Sequence, residues 1–128
     1  MGTKLLVDTD VLVDFLRGHD GAVRFVGSHA TEIVLSAISA AELYAGYRDD
    51  QELEQLDEFI GIFEVIPATQ AIAREGGRYK NLYHKSHGVG LADGIIAATA
   101  VLHNFELKTL NTKHYPMLKS IKPPYLKR

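Results

Sequence analysis

Six residues of this 128-residue chain put side-chain oxygens just beyond short apolar runs or at the head of a helical one. Asp8 and Asp10 follow Leu5–Val7, Glu42 comes shortly after Ile33–Ile38, Asp93 stands near the start of Leu91–His103, and Thr109 with Asn111 closes Glu106–Leu110. Carboxylates drawn together repel one another and lose solvation, so such a group is stable while ionised only with a cation among them. Oxygen-only donors favour Mg2+ or Mn2+, and a chain without cysteine has no thiolate to offer a softer metal. A divalent ion in such a site lowers the pKa of a bound water and stabilises a departing oxygen, which is the chemistry of phosphate ester hydrolysis. Phosphodiesters of a nucleic acid and small phosphomonoesters both remain open as substrates.

Each position also has a purely structural explanation. Ser39-Ala-Ala-Glu42 matches a capping box, in which Glu42 satisfies free N–H groups at a helix start. Asp93 fits an ordinary helix-start acid, Asn111 an N-cap for a helix through Met117, and Asp8-Thr9-Asp10 a strand-to-helix turn. Capping, however, requires no particular set of strand ends, whereas a metal site does.

The elements that must position these groups follow from hydrophobic periodicity. Strands are predicted over Lys4–Val7, Ile33–Ile38, Phe63–Ile66 and Glu106–Leu110. Helices are predicted over Val11–Leu16, Ala40–Gly46, Glu52–Ile60, Ala68–Tyr83 and Leu91–His103. Alternation of strand and helix implies right-handed crossovers: an α/β three-layer sandwich around a central, mainly parallel sheet of about four to five strands. In open sheets of this kind ligands bind beyond the carboxyl ends of the strands, where the oxygen-bearing residues fall.

With no repeat, linker or low-complexity tract, residues 1–128 read as a single domain, and the Pro123-Pro124 tail as a frayed end. The chain is 46% hydrophobic and 23% charged, which suits a globular protein that buries roughly two thirds of its unfolded surface. No apolar stretch approaches the ~20 residues needed to span a bilayer, and no targeting segment is evident, so a cytoplasmic protein is expected; the lack of cysteine suits a reducing compartment. The net charge of −2 hides an asymmetry. Residues 1–64 hold 13 acids against four bases, and residues 65–128 hold 10 bases against three acids. One cationic half can meet phosphates while the acidic half gathers carboxylates, unless folding mixes the two.

Other groupings carry less. Asp14, one turn beyond Asp10, reads as a solvent-facing acid. His84 and His87 lack further ligands at zinc-like spacing. Arg78, Tyr79, Lys80, Tyr83 and Lys85 combine basic and aromatic groups in the manner of a strand-binding surface, although tyrosines at helical spacing commonly pack in the core. Leu53, Leu56, Phe59 and Ile60 share one helix side, which fits either core or a homodimer face.

Four segments, LLVDTDVLVDFL (5–16), SAISAAELYAG (36–46), GLADGIIAATA (90–100) and LKTLNTKHY (107–115), resemble in order and spacing the signatures of the PIN domain, and most nearly those of VapC-type toxins. By that resemblance Asp8, Glu42 and Asp93 match the family's acidic metal ligands and Thr109 its hydroxyl-bearing neighbour. Asn111 stands at the fourth acidic position, a departure that replaces a charge with one neutral oxygen, and Asp10 stands where the family commonly has Asn. The resemblance implies a Mg2+- or Mn2+-dependent endoribonuclease, the toxin of a type II toxin–antitoxin pair. It also implies a homodimer and a cognate antitoxin whose tail lies over the active-site groove. In that scheme Asp8 and Asp93 bind metal, Glu42 binds metal or orients the attacking water, and Thr109 and Asn111 hold water or a second ion. Two competing readings stand beside it. One is a catalytically silent module of the same fold that binds RNA or an antitoxin. The other is a phosphatase of the haloacid-dehalogenase type, which Leu5-Leu-Val-Asp8-Thr-Asp10 mimics, but Leu12 stands where Thr or Val is expected and no late Asp-Asp pair follows.

Overall fold

The computed structural model describes residues 2–127. Four short strands, β1 (Leu5–Val7), β2 (Ile33–Ser36), β3 (Glu64–Ile66) and β4 (Glu106–Lys108), form one parallel sheet in the order β3-β2-β1-β4. The helices are α1 (Thr9–Leu16), α2 (Asp20–His29), α3 (Ala37–Tyr44), α4 (Asp50–Gly61), α5 (Gln70–His87) and α6 (Leu91–His103). Side chains alternate across the pleat, so each central strand feeds both faces. Leu5, Val7, Ile33 and Leu35 join a core built with α1, α2, α3 and α4, while Leu6 and Val34 join a second core built with α5 and α6. The architecture is the expected α/β sandwich, with four strands. Because β1 pairs with β2 on one side and β4 on the other, the strand order reverses at β1, and the crevice between the ends of β1 and β4 is where such sheets place a ligand.

Several local features differ from the sequence expectation. α2 lies outside the sequence expectation: its segment DGAVRFVGSH carries two glycines, although it is as amphipathic as α1, and it is held by Ala22, Phe25 and Val26 in the core and by the His19 side-chain cap on Gly21 N–H. The second strand stops at Ser36 instead of Ile38 because the Ser36 hydroxyl accepts the Ile38 N–H (3.1 Å) and starts α3 three residues early. Ser39 and Glu42 therefore lie inside α3, and the capping-box explanation of Glu42 fails. α5 runs four residues beyond Tyr83, to His87, and ends at Gly88 in the left-handed region (φ 67°), its N–H bonded to the His84 carbonyl. β4 ends at Lys108, and beyond Asn111 there is only a 3-10 turn, Thr112–His114, with no side-chain cap from Asn111.

The tail is not frayed. Tyr125 packs against Gly21 and His19, its hydroxyl donates to Asp14 Oδ2 (2.8 Å), and Lys127 Nζ donates to Asp14 Oδ1 (2.7 Å). Asp14, expected at the surface, is 5% exposed. Burial alone would raise its carboxyl, but the hydrogen bonds from Lys127 and Tyr125 outweigh it and hold the group below the ordinary range. Tyr125→Phe removes one of these charge-assisted bonds and is expected to lower unfolding free energy by about 2 kcal/mol, read from urea denaturation. An unchanged midpoint would show that the tail does not stabilise the fold.

Candidate metal centre

The site grows out of two strand ends. Asp8, the first residue after β1, caps α1, its Oδ1 accepting Thr9 N–H (2.7 Å). Thr109, the first residue after β4, is fully buried and donates its hydroxyl to Asp8 Oδ2 (2.8 Å) while accepting Asn111 N–H (3.0 Å). Asp10 clasps the same junction from α1, its Oδ2 accepting Leu110 N–H (3.0 Å). The parallel pairing of β1 with β4, which puts Val7 opposite Lys108, brings these distant residues together.

Two neighbours extend the cluster. Tyr115, 1% exposed, donates its hydroxyl to Asp8 Oδ2 (2.8 Å) and lies 3.4 Å from Asp93 Oδ1, so one phenol links the two carboxylates. Asp93 is placed by its own helix: it sits in the first turn of α6, where its Oδ2 accepts Gly90 N–H (3.2 Å), so its capping role is real and coexists with its place in the site. On the other side Thr9 Oγ1 donates to Glu42 Oε1 (2.6 Å) and lies 2.9 Å from the buried Ser39 Oγ. Ser39 and Glu42, three apart on α3, share the face that meets Thr9. A chain of hydrogen bonds thus runs from Glu42 through Thr9, Asp8 and Tyr115 to Asp93.

The electrostatics are unbalanced. Asp8 is 6% exposed, and burial, then the charge of Asp10, push its carboxyl up to about 6 against the hydrogen bonds that favour its ionised form. Asp10 is also raised, chiefly by burial. Among the described residues no lysine, arginine or histidine forms an ion pair with Asp8, Asp10 or Glu42, and Asp93 has only His114 Nδ1 at 3.6 Å. Burial and the charge of Asp8 keep the Tyr115 phenol protonated.

Of the residues singled out from sequence, Asp8, Asp93 and Thr109 meet directly or through Tyr115, and Glu42 joins through Thr9. Asn111 does not join by its side chain, which is exposed and makes no hydrogen bond among the described residues, although its backbone binds Thr109. Among the described residues no three Asp, Glu or His side chains already stand at the spacing of a ligand set; hydroxyls hold the carboxylates apart. The donor chemistry nevertheless fits a hard divalent cation: all oxygen, anionic, partly buried and lacking countercharge. Tyr115, Thr9 and Ser39 join the site without a sequence signal for it: Thr9 and Ser39 stand in the sequence only as turn and cap residues. Tyr115 does close the LKTLNTKHY segment, but nothing local distinguishes a phenol that bridges carboxylates from a packed aromatic.

Beside Glu42 a groove of about 410 Å³ opens between α1, α3 and α4, with Val13, Leu16, Leu43 and Leu56 among its lining residues. No helix among the described residues is long and apolar enough to cross a membrane.

Comparison with known proteins bears on the family and the fold. The chain is 40% identical over 124 residues to ribonuclease VapC10 of Mycobacterium tuberculosis (strain ATCC 25618 / H37Rv), covering 94% of this chain and 92% of that protein. It is 38% identical to ribonuclease VapC19 of the same organism, covering 94% and 98%. Among solved structures, a toxin–antitoxin complex from Klebsiella pneumoniae superposes with a TM-score of 0.80 at 27% identity, covering 95% of this chain and 98% of that one. FitAcB from Neisseria gonorrhoeae superposes with a TM-score of 0.75 at 28% identity, covering 94% and 97%. The family model for the PIN domain matches residues 5–117, and the chain belongs to the PIN-domain family.

Proposed function

We propose that this chain is a Mg2+- or Mn2+-dependent endoribonuclease that acts as the toxin of a type II toxin–antitoxin pair. The observation that carries the proposal is the buried, uncompensated Asp8 carboxylate linked through Tyr115 to Asp93 at the junction of β1 and β4. Support also comes from relatives named as VapC ribonucleases and from a structural neighbour that is a toxin–antitoxin complex.

Asp8 and Asp93 would hold the cation, with Glu42 as a third donor or as the group that orients water. When bound, a divalent ion supplies a water of lowered pKa and neutralises charge on the cleaved phosphate. The rest falls to the protein. Thr109 and Tyr115 fix Asp8 Oδ2, and Thr9 N–H fixes Oδ1, so the carboxylate cannot rotate away. Thr9 takes up Glu42 Oε1, leaving Oε2 to accept a proton from the attacking water. Asn111, whose amide makes no hydrogen bond among the described residues, would hold water or substrate. The groove next to Glu42 offers an apolar floor for an antitoxin segment, and a homodimer completes the proposed assembly.

Purified protein is expected to cleave a labelled RNA with Mg2+ or Mn2+, to stop in EDTA, and to recover when metal is restored. RNA or antitoxin binding without cleavage would replace this reading with a silent module, and turnover of a small aryl phosphate would favour a phosphatase.

A further inference from the structure

We propose that the outward face of the C-terminal half of α5 binds the sugar-phosphate backbone of the RNA at a site separate from the cleavage centre. The proposal rests on the ribonuclease reading. α5 buries Ile72, Gly76 and Tyr79 on one side. On the other side the exposed Lys80, Asn81, His84 and Lys85, together with Gly77, line a depression of about 330 Å³. Arg78 is neutralised by Glu75, but Lys80 and Lys85 pair with no carboxylate among the described residues.

Two bland explanations cover only part of this. Cations in a helix's last turn offset its dipole, which accounts for His84, Lys85 and His87. Lys80 lies two turns before Gly88, beyond the reach of that effect. Gly76 is required by packing, since a Cβ there would lie 2.9 Å from Ile95 Cα. Gly77 is not: a Cβ there meets nothing within 4 Å, so packing does not explain a residue that weakens the helix and leaves the depression open.

The position suits a substrate track. Gly76 touches Gly94, the residue after Asp93, and α6 begins only three residues before that crossing. α5 continues eleven residues past it, about 16 Å of helix. After the three-residue connection 88–90 the chain returns along α6, and the first turn of α6 carries Asp93. A strand with one phosphate at the carboxylate site can rest neighbouring phosphates on Lys80 and Lys85, with His84 and Asn81 as hydrogen-bonding neighbours.

The test is binding of a fluorescent single-stranded RNA to the full chain in EDTA at a series of salt concentrations, together with cleavage kinetics in Mg2+. Lys80→Ala/Lys85→Ala is expected to weaken binding about 10-fold and to lower the slope of log affinity against log salt by about 1.4. The loss should fall on KM, with the melting midpoint and oligomeric state retained. Lys4→Ala/Arg24→Ala, which removes the same charge elsewhere, should leave the slope unchanged. Equal losses in both double variants would reduce the effect to net charge and overturn the proposal. So would an unchanged slope in Lys80→Ala/Lys85→Ala, or a change of oligomeric state in its place. If the unmodified chain neither binds nor cleaves RNA, the ribonuclease reading itself fails; if it cleaves while the slope holds, only the α5 site does.

Discussion

Asp8→Asn is expected to cut RNA cleavage roughly 1,000-fold while stabilising the metal-free protein above pH 6. The first effect is the loss of a metal-binding charge, worth several kcal/mol in the transition state, at 1.36 kcal/mol per factor of ten. The second follows from the same carboxylate. Burial, then the charge of Asp10, lifts its pKa from 3.8 to about 6, so the folded protein holds that proton more tightly than the unfolded chain does. The stability associated with protonated Asp8 is fully present below about pH 4 and is lost as pH rises through about 6. Ionising the group in the fold costs up to about 3 kcal/mol. Asparagine avoids that cost but sets an amide NH2 against the Thr109 and Tyr115 hydroxyls, so a gain of about 1 to 2 kcal/mol is expected. Urea denaturation in a chelator between pH 4 and 8 checks the sign. The original chain should weaken across that window and the variant should not, and Mg2+ should restore most to the original above pH 6. A flat profile in the original chain would mean that Asp8 is not a strained anion awaiting a cation.

Gly94→Ala is expected to be the most damaging single-methyl change in the molecule. A Cβ on Gly94 would lie 2.3 Å from the Gly76 carbonyl oxygen and 3.1 Å from its carbon, so α5 and α6 must separate to admit it. Backbone has no rotamer with which to yield, and a cost of about 3 kcal/mol follows, with a fall of roughly 10 °C in melting temperature. Asp93 precedes Gly94 on the first turn of α6, so the displacement also pulls its carboxylate from Tyr115 and cleavage should fall with stability. Gly77→Ala, whose added methyl meets nothing within 4 Å, is the matched control. It should leave the fold as stable as before or gain about 0.5 to 1 kcal/mol from helix propensity. If Gly94→Ala melts with the original chain, the close approach of the two helices does not hold.

The helix that fell outside the sequence pattern shows where local reading stops. α2 carries two glycines within ten residues, so its own propensity is poor; it forms because Ala22, Phe25 and Val26 cover the core beneath α1 and the sheet. The start of α3 is ambiguous in the sequence for a different reason. Ser36 and Ser39 are both good caps by type, and only Ser36 stands at a strand's end with its hydroxyl facing Ile38 N–H. Asp14 looked like a surface acid because the tail residues that bury it lie more than 110 positions away.

From sequence alone came the alternation of strands and helices, the parallel α/β class, and the short list of oxygen-bearing residues near strand ends. Those signals act over one or two turns, through apolar periodicity and the demands of chain reversals, so they are written locally. Tertiary structure alone decided which of those oxygens meet, and through what. Thr109 reaches Asp8 across 101 positions and Tyr115 across 107, contacts that exist only because β4 lies beside β1. A phenol and a threonine hydroxyl join the carboxylates there because buried anions without a countercharge need donors, and three-dimensional packing chooses which donors are near.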